Sequence, residues 1–456
     1  MKIIILGAGT MGSFLVATFC RDNHDVVVID KSPTTIQHMK DKLDVMGLIG
    51  NGANVSILKE AGIENARMFI AASSDDMINI HACSIAKHFG VKKTICRLSN
   101  RTYFDPDNNF APYNHGIDLI IVPQEDCVEN IMNIVRRYEV IEKITFNIPD
   151  ATITAIRVST DSLLNGVKLR EFPKPELLSS IRFAAIVRKG ELLAPSGETI
   201  ITLNDELYIA GLNKDVERLL NWASPNAKKA SRVVVAGGTE IGSDLAFKLS
   251  HNGFDVRLID PDLPNCEKIL NNLNTKMLVI NGDSNDRDVL IEAGTDTCDI
   301  FIATQNDDEN NILSCILSKR LGAKKVITLI GKEEYIDIVP AMTMIDCGIS
   351  KRLVATNSIL RNIHINTVHT DAVIHRANAY VSEFEVTEKS TAAHKRIIDC
   401  EFPQTIILSL VFRDGKTVTP SGNLVLLPGD MVVIIGAATA IKERELLFKP
   451  KGLFSR

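Results

Sequence analysis

The chain has 456 residues, 45% of them hydrophobic and 5% aromatic, and a formal charge of −5. Its length suggests three or four domains, and the acidic surplus speaks against a nucleic-acid binder, which normally shows a basic face. No apolar run approaches the roughly eighteen residues of a membrane span, and the nine cysteines form neither a CxxC nor a zinc spacing. The first strand pattern begins at Lys2 and leaves no room for a leader, so a cytosolic, reduced chain is expected.

An apolar run from Ile3 to Leu6 feeds into Gly7-Ala8-Gly9-Thr10-Met11-Gly12. A helical pattern follows, with Met11, Leu15, Val16 and Phe19 on one face. A second run, Val26 to Ile29, ends in Asp30. Strand, glycine turn, helix, strand and acid in this order are the parts of a dinucleotide-binding unit. Gly7 allows the tight turn, Gly9 lets backbone amides approach a pyrophosphate, and Gly12 lets the helix pack closely on the strand. The free N–H groups and dipole at the helix start favour phosphate by roughly 0.3–1 kcal/mol, or ~2 when partly buried. Asp30 stands where a carboxylate accepts ribose hydroxyls. The competing reading is a glycine turn kept only for helix–strand packing.

Strand and helix alternate to about residue 118. A helical stretch from Pro33 to Leu43 precedes Gly50-Asn51-Gly52, and the strand from Met68 to Ala72 opens onto Ser73-Ser74-Asp75-Asp76. A helix from Met77 to Phe89 ends at Gly90, and the next strand carries Arg97. This pattern predicts a doubly wound parallel sheet with its ligand at the C-terminal strand ends. The candidate site gathers Gly7, Ala8, Gly9, Thr10, Met11, Gly12, Asp30, Asn51, Gly52, Ser73, Ser74 and Arg97. An arginine there pairs with phosphate through its fork of donors; the alternative is a surface ion pair. Asp75-Asp76 reads either as a ribose contact or as helix capping.

From Pro123 to Tyr138 the pattern is helical, with an apolar stripe on Val128, Ile131, Ile134 and Val135. The stripe packs on its own domain or against another subunit. A β-rich stretch runs from Lys143 to about Leu220, with turns at Arg188-Lys189-Gly190-Glu191 and Pro195-Ser196-Gly197 and a short helix from Asn213. Trp222 to Ser231 reads as a polar linker.

The chain then repeats itself. At a constant spacing of 230 residues, Gly237 follows Gly7, Gly242 follows Gly12 and Asp260 follows Asp30. At 232, Ala293-Gly294 matches Ala61-Gly62, Asp307-Asp308 matches Asp75-Asp76, and Asn311 matches Asn79. At 225, Arg413, Pro420-Ser421-Gly422 and Asp430 match Arg188, Pro195-Ser196-Gly197 and Asp205. The fold class is therefore α/β: two tandem repeats, each a doubly wound parallel-sheet domain followed by a small β-rich α+β domain. The boundaries expected are 1–138 and 139–222, then 231–365 and 366–456, each larger domain keeping its crossover helix. The second candidate site comprises Gly237, Gly238, Thr239, Glu240, Ile241, Asp260, Asp283 and Thr304. Thr239 replaces the middle glycine, and Leu329 stands at the position of Arg97, so a weaker, differently specific or empty second site is expected.

Reacting groups are missing. The chain holds no GxSxG, no HExxH and no tyrosine with a lysine four residues later. Gly415-Lys416-Thr417 resembles the end of a P-loop, but Leu410 stands where its first glycine belongs. A nucleotide site without a second reactant site favours sensing over catalysis. The alternative is a soluble NAD-dependent oxidoreductase with an unrecognised active site.

With its GAGTMG and VID in the first half, AGGTEIG and LID in the second, and the two Pro-Ser-Gly tails, the duplicated unit resembles the regulatory RCK module of potassium transport. The tandem arrangement is similar to that of the bacterial TrkA family of peripheral potassium-uptake proteins, over essentially the whole chain. The resemblance implies a non-enzymatic Rossmann-like protein binding NAD(H), and adenine nucleotides such as ATP or ADP, in the first domain of each unit. It also implies a cytoplasmic ring of four chains and eight modules on a membrane potassium-translocating subunit, with the Val128–Val135 stripe at a subunit interface.

Overall fold

The computed structural model describes residues 1–21, 24–104, 111–137, 139–146, 150–225, 230–272, 277–332, 334–339, 342, 344–362, 368–374, 379–402, 406–437 and 447–448. Residues 226–229 of the polar linker lie outside them. The chain forms two compact units, Met1–Glu129 with Lys351–Asn362, and Asn130–Ser350 with Ile363–Arg456.

In the first unit, six parallel strands lie in the order Met46–Ile49, Asp25–Asp30, Lys2–Leu6, Met68–Ala71, Lys93–Arg97, Leu119–Ile121. Lys2–Leu6 pairs with Asp25–Asp30 on one side and Met68–Ala71 on the other. Strand order reverses there, so a crevice opens at the C-terminal ends of these strands. The central strands are buried on both faces, which is why they read as unbroken Ile/Val runs rather than alternating ones. One core joins Ile4, Leu6, Val27, Ile29, Phe69 and Ala71 of the sheet to Leu58, Ala82, Cys83 and Ala86 of the covering helices. The helix Lys351–Asn362, from the second half of the sequence, packs in this unit against Thr10–Arg21, with the Arg352 guanidinium 5.3 Å from the Phe14 ring centroid.

The second unit repeats the six-stranded parallel sheet, in the order Leu278–Asn281, Asp255–Asp260, Arg232–Ala236, Ile300–Ala303, Lys325–Ile330, Cys347–Ser350. It also holds both small domains as five-stranded sheets with antiparallel pairing. The first runs Glu191–Leu193, Ile181–Arg188, Glu206–Leu212, Ala151–Arg157, Val140–Thr145. The second runs Val368–Ile374, Ala379–Glu385, Met431–Ala437, Ile406–Arg413, Lys416–Val418. The repeated Arg–Asp pairs are forks from half-buried arginines onto buried aspartates: Arg188 donates to Asp205 at 2.8 and 2.7 Å, and Arg413 to Asp430 at 2.7 and 2.7 Å. Burial alone raises the Asp205 carboxyl, but the Arg188 and Thr202 donors outweigh it and hold the group below its ordinary value. The two small sheets share one hydrophobic core, with Ile153, Ala185, Val187 and Tyr208 from the first and Val381, Phe412, Val433 and Ile435 from the second.

Two expectations are corrected. The stripe of the helix Pro123–Val135 is buried within the single chain, with Val128 and Ile131 at 0% exposure and Val135 at 1%. It is therefore not surface held for another subunit. Near its end, Ile134 presents its carbonyl to Lys325 Nζ at 3.5 Å. Trp222, read as linker, lies in the helix Asn213–Ala223 and stacks edge-on against Phe172, because that helix continues until its apolar face is used up. No helix among the described residues is long and apolar enough to cross a membrane.

Candidate functional site

At the end of Lys2–Leu6, Gly7 takes φ +96°, a conformation L side chains rarely adopt, and a Cβ there would lie 2.7 Å from Ser73 N. Its N–H donates to Ile29 O at 2.8 Å, fixing the turn to the neighbouring strand. Gly12 packs so tightly that a Cβ would come within 1.8 Å of Gly7 O. Gly9 differs from both: nothing stands within 4 Å of its Cβ position, and Gly9 and Thr10 are exposed. The middle glycine faces open space.

Asp30 receives the Ala8 N–H on Oδ2 at 2.6 Å and the Ser32 N–H on Oδ1 at 2.8 Å. Two backbone donors fix this half-buried carboxylate, which retains lone pairs for further donors such as ribose hydroxyls. Gly50 N–H donates to Asp30 O, which brings Asn51 and Gly52 to the same edge. Asn51 Oδ1 accepts from Ala53 N–H in a local turn. Gly52 is a packing glycine, since a Cβ would meet Leu6 Cδ1 at 2.2 Å.

Across the switch point, Ser73 abuts Gly7, and Arg97 Nη1 donates to Ser73 O at 2.9 Å. Ser74 is exposed beside it and Met11 is half-buried. The structure thus brings the glycine turn, Asp30, Asn51, Ser73, Ser74 and Arg97 to one rim. Asn79, a repeat marker in the sequence, organises it. Buried Asn79 accepts from Ser73 N–H at 3.1 Å and Ser73 Oγ at 2.7 Å, and donates to Ser73 O and Arg97 O at 2.9 Å each. All four amide bonds are used, and the signal was an asparagine kept on an apolar helix face in both halves.

The paired aspartates are structural. Asp75 caps its helix through Ile78 N–H at 3.0 Å, and buried Asp76 accepts from Ser99 N–H and Oγ. Asp307 and Asp308 do the same for Asn310 N–H and for Gly331 and Lys332 N–H.

The second turn keeps the frame and changes the lining. Gly237 has φ +101° and bonds Ile259 O at 2.8 Å. Gly238 N–H donates to Asp260 Oδ2 at 2.6 Å and Asp262 N–H to Oδ1 at 3.0 Å. Thr239 takes the place of the open glycine: its Oγ1 donates to Thr304 O at 2.8 Å and accepts from Gly242 N–H at 3.2 Å, capping the helix Glu240–His251. Thr304, fully buried, turns its hydroxyl to Gly237 O beneath the turn. Asn265 Nδ2 donates to Gly238 O at 2.9 Å, and Gln305 Nε2 reaches Ser284 Oγ at 2.8 Å. Asp260 is only 7% exposed. Ile241 is buried, Glu240 and Asp283 are exposed, and Asp283 Oδ1 is engaged by Asn285 N–H. Leu329 is fully buried where the first half has Arg97.

Burial raises several thiols, Cys127 and Cys298 to about 12, which keeps them protonated and unreactive at neutral pH.

Fold and turn together define a tandem Rossmann-like protein. The TrkA-N domain family matches residues 3–123 and 233–349, and the TrkA-C domain family matches residues 153–224 and 381–449. The chain belongs to the TrkA family. It is similar to Trk system potassium uptake protein TrkA homolog 1 of Methanosarcina mazei, 30% identical over 98% of this chain and 100% of that protein. It is 28% identical to TrkA of Halomonas elongata, over 98% of this chain and 99% of that one. Among solved structures it is similar to the GsuK RCK domain, with TM-score 0.61, 19% identity, and coverage of 98% of this chain and 94% of that chain. A GsuK channel bound to NAD gives TM-score 0.62 and 18% identity over 98% of this chain and 78% of that chain. At such identity the likeness to the two structures is one of fold.

Proposed function

We propose that the chain is a nucleotide-sensing, non-catalytic regulatory subunit of a potassium uptake system, held at the cytoplasmic face of the membrane by a potassium-translocating partner. NAD(H) is the ligand proposed for the first turn, with ATP or ADP as competitors, held by Gly7 to Gly12, Asp30, Asn51, Gly52, Ser73, Ser74 and Arg97. Gly237 to Ile241, Asp260, Asp283 and Thr304 are the matching set of the second turn. The proposal includes the division into domains 1–138, 139–222, 231–365 and 366–456 and an assembly of four chains forming an eight-module ring. The observation that supports this reading most is the open Gly9 beside an Asp30 carboxylate held by two backbone N–H groups, in a chain that matches potassium-uptake proteins over its whole length.

The binding chemistry follows from this chain's own groups. Amides at the start of Thr10–Arg21 face a phosphate, Asp30 takes ribose hydroxyls, and Arg97 supplies a cation at the rim. Moving a two-state partner from about 1:99 to 99:1 needs roughly 5.5 kcal/mol of differential binding, which several sites in one assembly divide among them. Titration calorimetry of the full chain with NADH, NAD, ADP and ATP tests the reading. Binding lost in Gly9→Ala and kept in Asp260→Ala supports it, whereas no heat with any of the four overturns it.

A further inference from the structure

We propose that only the first glycine turn of each chain takes a nucleotide phosphate, and that Thr239 and Glu240 close the second as a built-in substitute for that ligand. The proposal rests on the nucleotide reading of the first turn and extends it to the number of ligands per chain.

The two turns have the same backbone and opposite linings. At Gly9 the approach is open, with nothing within 4 Å of the Cβ position. At Thr239 a hydroxyl fills that approach and is itself engaged, to Thr304 O at 2.8 Å and from Gly242 N–H at 3.2 Å. One of the amides left free by helix geometry is thereby already capped by the chain. The next residue is Thr10 in the first half and Glu240 in the second, so a carboxylate occupies the first helical turn where the dipole favours an anion. Leu329, fully buried, removes the cation that Arg97 supplies. The replacements of Thr10 by Glu240 and of Arg97 by Leu329 both make the second turn less favourable to a phosphate than the first.

The neighbouring side chains complete the closure. A Cβ at Gly238 would lie 2.7 Å from Ile269 Cδ1 and 2.8 Å from Asn265 Nδ2. Asn265 spends a donor on Gly238 O, and Gln305 spans to Ser284. In the first half Thr35 stands at the position of Asn265 and bonds Ser32, its own helix cap, instead of the turn.

The second domain is then a fixed member of the assembly and the first is the sensing one. In a ring of four chains, the roughly 10⁴-fold differential binding that a full switch requires falls on four ligands, about tenfold each.

Titration calorimetry of the full chain with NADH and with ADP tests this, beside two grafts whose folding is checked by circular dichroism and melting. Wild type is expected to bind one ligand per chain. Gly9→Thr/Thr10→Glu, which copies the second turn into the first, is expected to lose affinity on the order of a hundredfold. Thr239→Gly/Glu240→Thr is expected to raise the stoichiometry from one to two. Two ligands per wild-type chain would overturn the closure while leaving the first-turn reading intact. No binding by wild type with one site gained in Thr239→Gly/Glu240→Thr would do the reverse. A folded Thr239→Gly/Glu240→Thr chain that gains no site also overturns the closure. Should that variant not fold, Gly9→Thr/Thr10→Glu decides, and unchanged affinity there sinks the proposal.

Discussion

The two glycine turns differ least where the backbone is concerned and most where a ligand would lie. Gly7 and Gly237 bond the carbonyls of Ile29 and Ile259 at 2.8 Å each, and Asp30 and Asp260 take the next N–H at 2.6 Å each. Yet Gly9 is open and Thr239 is engaged on both sides. The frame is maintained by strand–helix packing and needs no ligand. Binding chemistry resides in the side chains set on it, so a glycine turn alone says only that a helix sits close to a strand.

The largest expected effect tests the common frame. Gly12→Ala and Gly242→Ala each push a Cβ to within 1.8 and 1.9 Å of a carbonyl oxygen, and each should destabilise its domain by roughly 1–3 kcal/mol or more. Urea unfolding should show similar losses, and a large difference would break the claim of one shared frame. Next come the acids. Asp260→Ala strands the buried Gly238 N–H and should cost about 1–3 kcal/mol of stability, with nucleotide titrations unchanged. Asp30→Ala, in a half-buried place that water reaches, should instead weaken nucleotide binding about tenfold to a hundredfold and leave the melting curve near wild type. Identical behaviour of the two variants would erase the distinction.

A smaller effect separates the halves by pH. Lys325 is 2% exposed and donates to Ile134 O and Val140 O, and burial pushes its pKa down to about 8 despite Cys347, Asp346 and Glu139 nearby. An unfolded lysine keeps its proton to about 10.4. Between pH ~8 and that value the unfolded chain binds more protons, so this group's contribution to stability rises with pH and is constant and unfavourable below ~8. Melting in Lys325→Met should lack that rise, with Lys93→Met, at the matching first-half position, as the comparison. A rise that persists in Lys325→Met would assign it to other groups. The smallest expected effect is Gly9→Ala, within about 0.5 kcal/mol of wild type in stability, since the added methyl meets open space; a larger loss would mean the approach is not open.

Much is legible in the sequence because it rests on local needs. The sheets show in the Ile/Val runs, the tight turns in Gly7 and Gly237, and the duplication in constant spacings. The departure at Thr239 was visible too, but its meaning was not: a threonine there reads as an obstructing Cβ, and only the structure shows it capping its helix and bonding Thr304 O. Asp75 and Asp76 fit ribose contact and capping equally well as letters, and Ser99 and Ile78 decided between them. Asn79 on an apolar helix face signals a buried polar role, but only the structure shows its four bonds to Ser73 and Arg97.

By itself the sequence determined the elements, their repeat and the residue types at each turn, since periodicity and glycine conformations are properties of short segments. Tertiary structure alone decided where apolar faces go. The stripe on Val128, Ile131 and Val135 announces burial but not its place, and the chain buries it internally. Lys351–Asn362 joins the unit of the first sheet, and the two small sheets share a core. The hydrophobic effect is non-directional; it requires that a face be covered, and only the assembled fold names what covers it.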